Sequence, residues 1–429
     1  MRCAALLALA VLSQAAVVRV DIAEKKDIAY PGYERVTGKV YFAVDPKLAA
    51  NKNIVDLALA PKNAKGQVEF SADLYMLRPK DKATGNNTAL FQVSNRGGRD
   101  LLNFFDLSNG GQLSKPEDFG DPLLFRMGFT MVWVGWEWDV LGDDQIKLYA
   151  PKLAGVSGKV MAQIIVNARS TSQSLGDRAL QAYPAGEGEA TLTVRDSMDG
   201  ARTSIDRSQF KFSADGSKIE YAAGFLPGKI YELVYEAKDA TVVGLGPAAV
   251  RDYISYMKSR NEVRRAIAFG NSQSGRFLRT YLYDGFNADE QGRRVFEGVW
   301  ANVSGAGRGD FNYRFAQPSR SDGNYPIVMF PFTDDNQSDG SRTDGLLAKA
   351  KKDNVVPKIF YTNSSIEYWG RDAALIHMSI DGKKDADASA NTRIYYMTGA
   401  PHGPNGQVVR NNTQNLANPL DYRLIMRAL

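Results

Sequence analysis

The segment from Ala266 to Leu282 constrains the fold more than any other part of the chain. An apolar run, Ala266-Ile267-Ala268-Phe269, enters Gly270-Asn271-Ser272-Gln273-Ser274-Gly275. It leaves through Arg276-Phe277-Leu278-Arg279-Thr280-Tyr281-Leu282, whose apolar residues recur at helical spacing. A buried strand that feeds a helix through a tight turn is the setting of a nucleophile elbow, in which one hydroxyl is held exposed. A serine needs a base to become a nucleophile. The chain has only two histidines, His377 and His402, and both lie downstream of the turn.

Continuous apolar strands alternate with helices over much of the chain, which predicts an α/β fold with a mostly parallel central sheet flanked by helices. Strands are expected at Gly38–Val44, Ile54–Ala60, Phe70–Leu77, Leu90–Val93 and Phe129–Val134. After a polar, Gly-punctuated stretch, the alternation resumes from Ile230, with a helix over Pro247–Ser259. Further strands are expected at Gly298–Val303, Ile327–Phe332, Lys358–Tyr361 and Arg393–Tyr396. The stretch at about 142–225, with short alternating segments such as Met161–Val166 and Ala190–Val194, reads as a β-rich insertion into a domain covering 16–429. The closing residues Leu420–Leu429 read as a helix still in progress, so the native chain is expected to continue.

The amino end reads as an export signal over residues 1–15. Met1-Arg2 is followed by an apolar stretch from Ala4 to Leu12 and a small-x-small site at Ser13-Gln14-Ala15. Cys3 is the only cysteine and lies inside that signal, so disulfides, metal thiolates and a thiol nucleophile are not expected in the mature chain. A periplasmic or secreted bacterial protein fits best. A net charge of +5 over 429 residues, without a long basic run, argues against nucleic acid or an anionic membrane as partner.

In a parallel sheet, reactive groups gather beyond the carboxyl ends of the strands. Ser272 stands at such an end, where the backbone N–H of Gln273 is an oxyanion donor. His402, on the Gly/Pro-shaped loop Thr398–Pro404, is favoured as the base over His377, which falls in a helical stretch. The order serine, acid, histidine puts the acid between them. Glu367, after Lys358–Tyr361, is the first choice, with Asp334, Asp335 and Asp339 as rivals. Paired glycines let backbone amides approach a ligand, so Gly97 and Gly98 are expected to give the second oxyanion donor. Trp136 or Trp138 is expected to offer a stacking face at the pocket rim.

Taken together, Asn95-Arg96-Gly97, Gly135-Trp136, Gly270-Asn271-Ser272-Gln273-Ser274-Gly275-Arg276, Glu367-Tyr368-Trp369 and His402-Gly403 resemble the secreted bacterial alpha/beta-hydrolase domain-containing proteins. The resemblance covers nearly the whole mature chain. The Ser-Gln-Ser-Gly-Arg stretch is also similar to the serine motif of glucuronoyl esterases and, more distantly, of tannase and feruloyl esterases. It implies an alpha/beta-hydrolase fold, Ser272 as nucleophile, His402 as base, Glu367 as acid, and Arg276 assisting the oxyanion pocket. The reading is therefore an exported serine esterase acting on small-molecule or glycan-linked esters without a metal or organic cofactor. The rival is a non-catalytic ligand- or carbohydrate-binding protein on the same scaffold.

Overall fold

The computed structural model describes residues 16–176, 180–320, 329–404 and 421–429. The expected signal at 1–15 lies outside the described residues, as do Leu420 and part of the strand expected at Ile327–Phe332. A large mixed sheet organises the chain. Its strands lie in the order Val17–Asp27, Tyr33–Val44, Val68–Pro79, Thr130–Val134, Thr88–Val93, Arg265–Asn271, Gly298–Asn302, Lys358–Ser364 and Thr392–Met397, and Leu148–Tyr149 pairs beside Val68–Pro79. The first three are antiparallel to their neighbours, and from Thr130–Val134 onward all pairings are parallel.

The parallel part is buried on both faces, as its apolar strands require. Along Arg265–Asn271, Ala266 and Ala268 face one core while Ile267 and Phe269 face the other. The first core is closed by the helices Leu245–Ser259 and Gln273–Asp284, through Ile254, Phe277, Leu278 and Tyr281. The second is closed by short helices at Leu101–Phe105, Leu123–Arg126 and Arg423–Ala428, through Phe104, Phe125 and Met426. Each fully buried side chain of this size stabilises by about 1.5–3 kcal/mol, so both layers hold the sheet rigid beneath the site.

Thr88–Val93 has Thr130–Val134 on one side and Arg265–Asn271 on the other. The strand order therefore reverses at this point, and open α/β sheets bind ligands outside the carboxyl ends of such strands. The loops after Val93 and after Asn271 open side by side there.

Three expectations about elements are corrected. The β-rich insertion spans Lys152–Thr241 rather than 142–225, because Ile230–Thr241 pairs with both Lys152–Ile164 and Ala185–Arg195. Tyr231, Leu233, Tyr235 and Ala237 are buried at alternate positions, the pattern of an antiparallel strand with one core face. A second small sheet of Phe210–Phe212, Lys218–Phe225 and Ser170–Ser174 completes the insertion. The segment Ile54–Ala60 is no strand. Ile54, Leu57 and Ala60 are buried at a spacing of three, and Leu57–Leu59 forms a 3₁₀ turn. Met329–Phe332 is irregular. Its Phe330 and Phe332 carbonyls accept from Arg308 and Arg279, and Pro331 has no N–H to give a ladder.

Candidate active site

Ser272 joins its strand to its helix with φ 60° and ψ −114°, a conformation that L residues seldom adopt. Such strain persists only where the surroundings enforce it. Here two glycines make the turn possible. A Cβ on Gly270 would run into the Ser274 carbonyl, with its carbon 2.6 Å away, and one on Gly275 would lie 2.9 Å from both Asn302 O and Ser304 Cβ. The usual second glycine position is Ser274, which is fully buried and donates its hydroxyl to Asn271 O at 3.0 Å. A serine fits there because the close approach falls on Gly275 instead. Gly270→Ala is expected to lower the unfolding free energy by about 1–3 kcal/mol through overpacking. A shift of the urea midpoint at constant slope measures it.

His402 Nε2 lies 2.9 Å from Ser272 Oγ, and His402 Nδ1 lies 2.5 Å from Glu367 Oε1. Glu367 is fully buried, whereas the His402 side chain is half exposed. Glu367 is the third residue of the helix Ser365–Gly370, and Ser364 is its N-cap. The pair forms a capping box: Ile366 N–H donates to Ser364 Oγ at 3.3 Å, while Ser364 N–H donates to Glu367 Oε2 at 3.2 Å. Ser364 Oγ also donates to that oxygen. One carboxylate oxygen fastens the helix, which leaves the other aimed at the imidazole. Behind His402, Tyr422 Oη donates to its carbonyl at 2.9 Å, and Gly399 N–H donates to Ser365 Oγ at 2.8 Å. These bonds tie the histidine loop to the acid helix.

The rival carboxylates are engaged elsewhere. Asp334 accepts from Tyr361 Oη at 2.8 Å and Thr392 Oγ1 at 2.5 Å, Asp335 pairs with Lys351, and Asp339 pairs with Ser341 and Arg342. His377 caps a 3₁₀ turn, with its Nε2 3.4 Å from Tyr368 Oη.

The Gln273 N–H opens the helix Gln273–Asp284, where first-turn amides lack intrahelical acceptors. It follows Ser272 directly at the end of the strand Arg265–Asn271. Gly97 and Gly98 do not supply the second donor. Gly97 N–H donates to Glu137 Oε2 at 2.9 Å and Gly98 N–H to Asn95 O at 3.1 Å, so both amides are already bonded, one across to Glu137 and one within the turn. Trp136 is likewise not at a rim. It is 1% exposed, packs on Phe277 and Phe311, and donates its indole N–H to Ser94 O at 2.8 Å. Trp138 is also core, donating to Ala316 O at 3.1 Å. Arg276 is buried in the first turn after Ser272, and its Nε finds no hydrogen-bond partner among the described residues. Burial, followed by the Arg371 and Arg96 charges, brings its pKa down to about 10.

Sequence reasoning missed the buried carboxyl pair Glu137 and Asp139. Burial raises Glu137 to about 8, with Asp139 adding to the shift, and burial raises Asp139 to about 6. The signal was two acids inside the otherwise apolar Val134-Gly135-Trp136-Glu137-Trp138-Asp139-Val140. A row of asparagines at the strand ends was also missed. Asn95 Nδ2 donates to Asn271 O at 3.0 Å and Asn302 Nδ2 to Asn271 Oδ1 at 2.8 Å. Together they lock the elbow to the neighbouring strands.

Residues 242–424, which carry Ser272, Glu367 and His402, match the family described as "Alpha/beta hydrolase domain". The sheet order and the strand-elbow-helix passage make the fold that of an alpha/beta hydrolase. No curated protein matches the chain. Among solved structures, the chain is similar to a glucuronoyl esterase from Solibacter usitatus at 11% identity, covering 89% of this chain and 81% of that one with a TM-score of 0.33. A CE15 glucuronoyl esterase from Teredinibacter turnerae is 11% identical, with 91% and 76% covered and a TM-score of 0.34. The rice cell wall degrading esterase LipA from Xanthomonas oryzae is 7% identical, with 91% and 92% covered and a TM-score of 0.31.

Proposed function

We propose that this chain is an exported serine hydrolase, periplasmic or secreted, that cleaves carboxylic esters of small molecules or glycans through a Ser272–His402–Glu367 triad. The observation that carries the reading is the unbroken contact from Ser272 Oγ through the imidazole to a buried carboxylate, at 2.9 and 2.5 Å. Glu367 at Nδ1 selects the tautomer whose Nε2 lone pair faces the serine hydroxyl. His402 then takes the hydroxyl proton as Ser272 Oγ attacks the ester carbonyl. The Gln273 N–H stabilises the oxyanion. Collapse expels the alcohol, which receives that proton from His402, and leaves an acyl-serine. Water, deprotonated by the same imidazole, attacks the acyl-serine, and the acid leaves as His402 returns that proton to Ser272 Oγ.

A fluorophosphonate probe tests the reading on the whole protein. Ser272 Oγ should displace fluoride, and peptide mapping should find the adduct on Ser272. Hydrolysis of short-chain nitrophenyl, uronate and hydroxycinnamate esters should then reveal a preferred class. A wild type that is neither labelled nor active on any of these esters would instead be a binding protein on a hydrolase scaffold.

A further inference from the structure

Glu137 is fully buried just past the strand Thr130–Val134 and joins two segments that meet beside the nucleophile. Its Oε2 accepts the Gly97 N–H at 2.9 Å, from the loop after Thr88–Val93. Its Oε1 accepts Gln273 Nε2 at 3.1 Å, from the residue that follows Ser272. The same amide group also donates to Pro318 O. We propose that Glu137 is a positioning residue for the Ser272 site: its carboxyl clamps the Asn95–Gly98 loop to Gln273, holding the Gln273 backbone N–H aimed at the oxyanion. This inference rests on the hydrolase reading above and deepens it.

Counting hydrogens shows which form of Glu137 does this. Ser319 Oγ lies 2.7 Å from Asp139 Oδ1 and 3.1 Å from Glu137 Oε1. One hydroxyl has one hydrogen. The shorter contact takes it, so the longer contact is a bond only if Glu137 carries a proton and donates it to Ser319 Oγ. Asp139 can remain the acceptor, because the Ser319 N–H also donates to it at 3.0 Å.

The charges acting on Glu137 agree with this. Asp139, on its own segment, disfavours ionisation, while Arg96, on the facing loop, favours it less strongly. Gln273 and Ser319 are themselves neutral, and the charge nearest Gln273 on its helix is the buried Arg276. Arg320, next to Ser319, turns its guanidinium to Met161 O at 2.6 Å. Burial sets the balance, and the proton leaves only near pH 8. Above that, a buried negative charge bonded to the Gln273 side chain opposes the charge that develops on the substrate oxygen. The rate should therefore fall as pH rises through about 8.

The experiment is the rate of fluorophosphonate labelling and of nitrophenyl ester hydrolysis, from pH 6 to 10, for wild type, Glu137→Ala and Glu137→Gln. Glu137→Ala should lower kcat and the labelling rate on the order of 100-fold, with KM within about threefold, because the loss falls on an oxyanion donor. Glu137→Gln cannot ionise and keeps an acceptor for Gly97, but its NH₂ then faces the Gln273 amide donor, so it preserves only the loop half of the clamp. Its kcat near neutral pH should fall between those of wild type and Glu137→Ala, and it should lack the alkaline fall. If Glu137→Ala labels as fast as wild type, or if Glu137→Gln keeps the alkaline fall unchanged, the positioning role is wrong while the hydrolase reading stands. An unlabelled, inactive wild type overturns both.

Discussion

Ser272→Ala should lower kcat about 10⁶-fold on any ester the protein hydrolyses, and leave the fold intact. Removing a triad serine costs on this order because the remaining groups have no nucleophile to activate, while oxyanion and binding contacts preserve a small residual rate. The backbone adds a second, independent signature. Ser272 holds φ 60°, ψ −114° without the freedom of glycine, at a cost of roughly 1–3 kcal/mol. Alanine has the same restriction, so Ser272→Ala should unfold at nearly the wild-type urea midpoint. Glycine relieves the strain but adds roughly 0.5–1 kcal/mol of chain entropy to the unfolded state. Ser272→Gly should thus be equally inactive yet more stable by about 1 kcal/mol, the strain outweighing the entropy. An inactive protein that gains stability is the mark of a turn shaped for chemistry rather than for folding. Kinetics on a nitrophenyl ester together with urea unfolding reads both quantities. If Ser272→Ala keeps full turnover and Ser274→Ala destroys it, the nucleophile has been placed two residues early. The buried Ser274 hydroxyl, spent on Asn271 O, argues against that outcome.

The elbow was legible because every local signal agreed. An apolar strand buried on both faces, glycines where backbone must approach backbone, and helical spacing after Gly275 admit few other structures. Glu367 was legible in principle for a reason the sequence reading did not use. Ser364-Ser365-Ile366-Glu367 is a capping-box pattern, and such a box fixes one carboxylate oxygen and thereby the direction of the other. The Gly97-Gly98 pair marked a close backbone approach but not where its N–H groups point, because the acceptor Glu137 arrives from 40 residues away. Trp136 was misplaced for a related reason. Whether an indole beyond a strand end meets solvent depends on what covers it, and the covering residues, Phe277 and Phe311, belong to distant segments. The strand Val17–Asp27 escaped notice because it is an edge strand, nearly all exposed, and its short alternation over Val18–Ile22 gives way to the charged Glu24-Lys25-Lys26-Asp27. Local geometry was therefore readable from the sequence, and burial assembled from several segments was not.

Glu367→Gln is expected to be nearly as damaging as Glu367→Ala, lowering kcat on the order of 10³–10⁴-fold. The capping box supplies the reason. At the Ser364 end the side chain meets two donors, the backbone N–H at 3.2 Å and the serine hydroxyl. A glutamine has a single acceptor oxygen, and those donors hold it there. Its amide NH₂ then faces His402 Nδ1, which must act as acceptor. The ring proton moves to Nε2, where it points at Ser272 and cannot receive that hydroxyl's proton. The two variants should nonetheless differ in stability. Glu367→Gln keeps the cap, whereas Glu367→Ala loses it at a cost of about 1 kcal/mol. A kcat within tenfold of wild type for Glu367→Gln would show that some other group orients His402. Asp334 could do so only by giving up Tyr361 and Thr392, both of which it holds within the core.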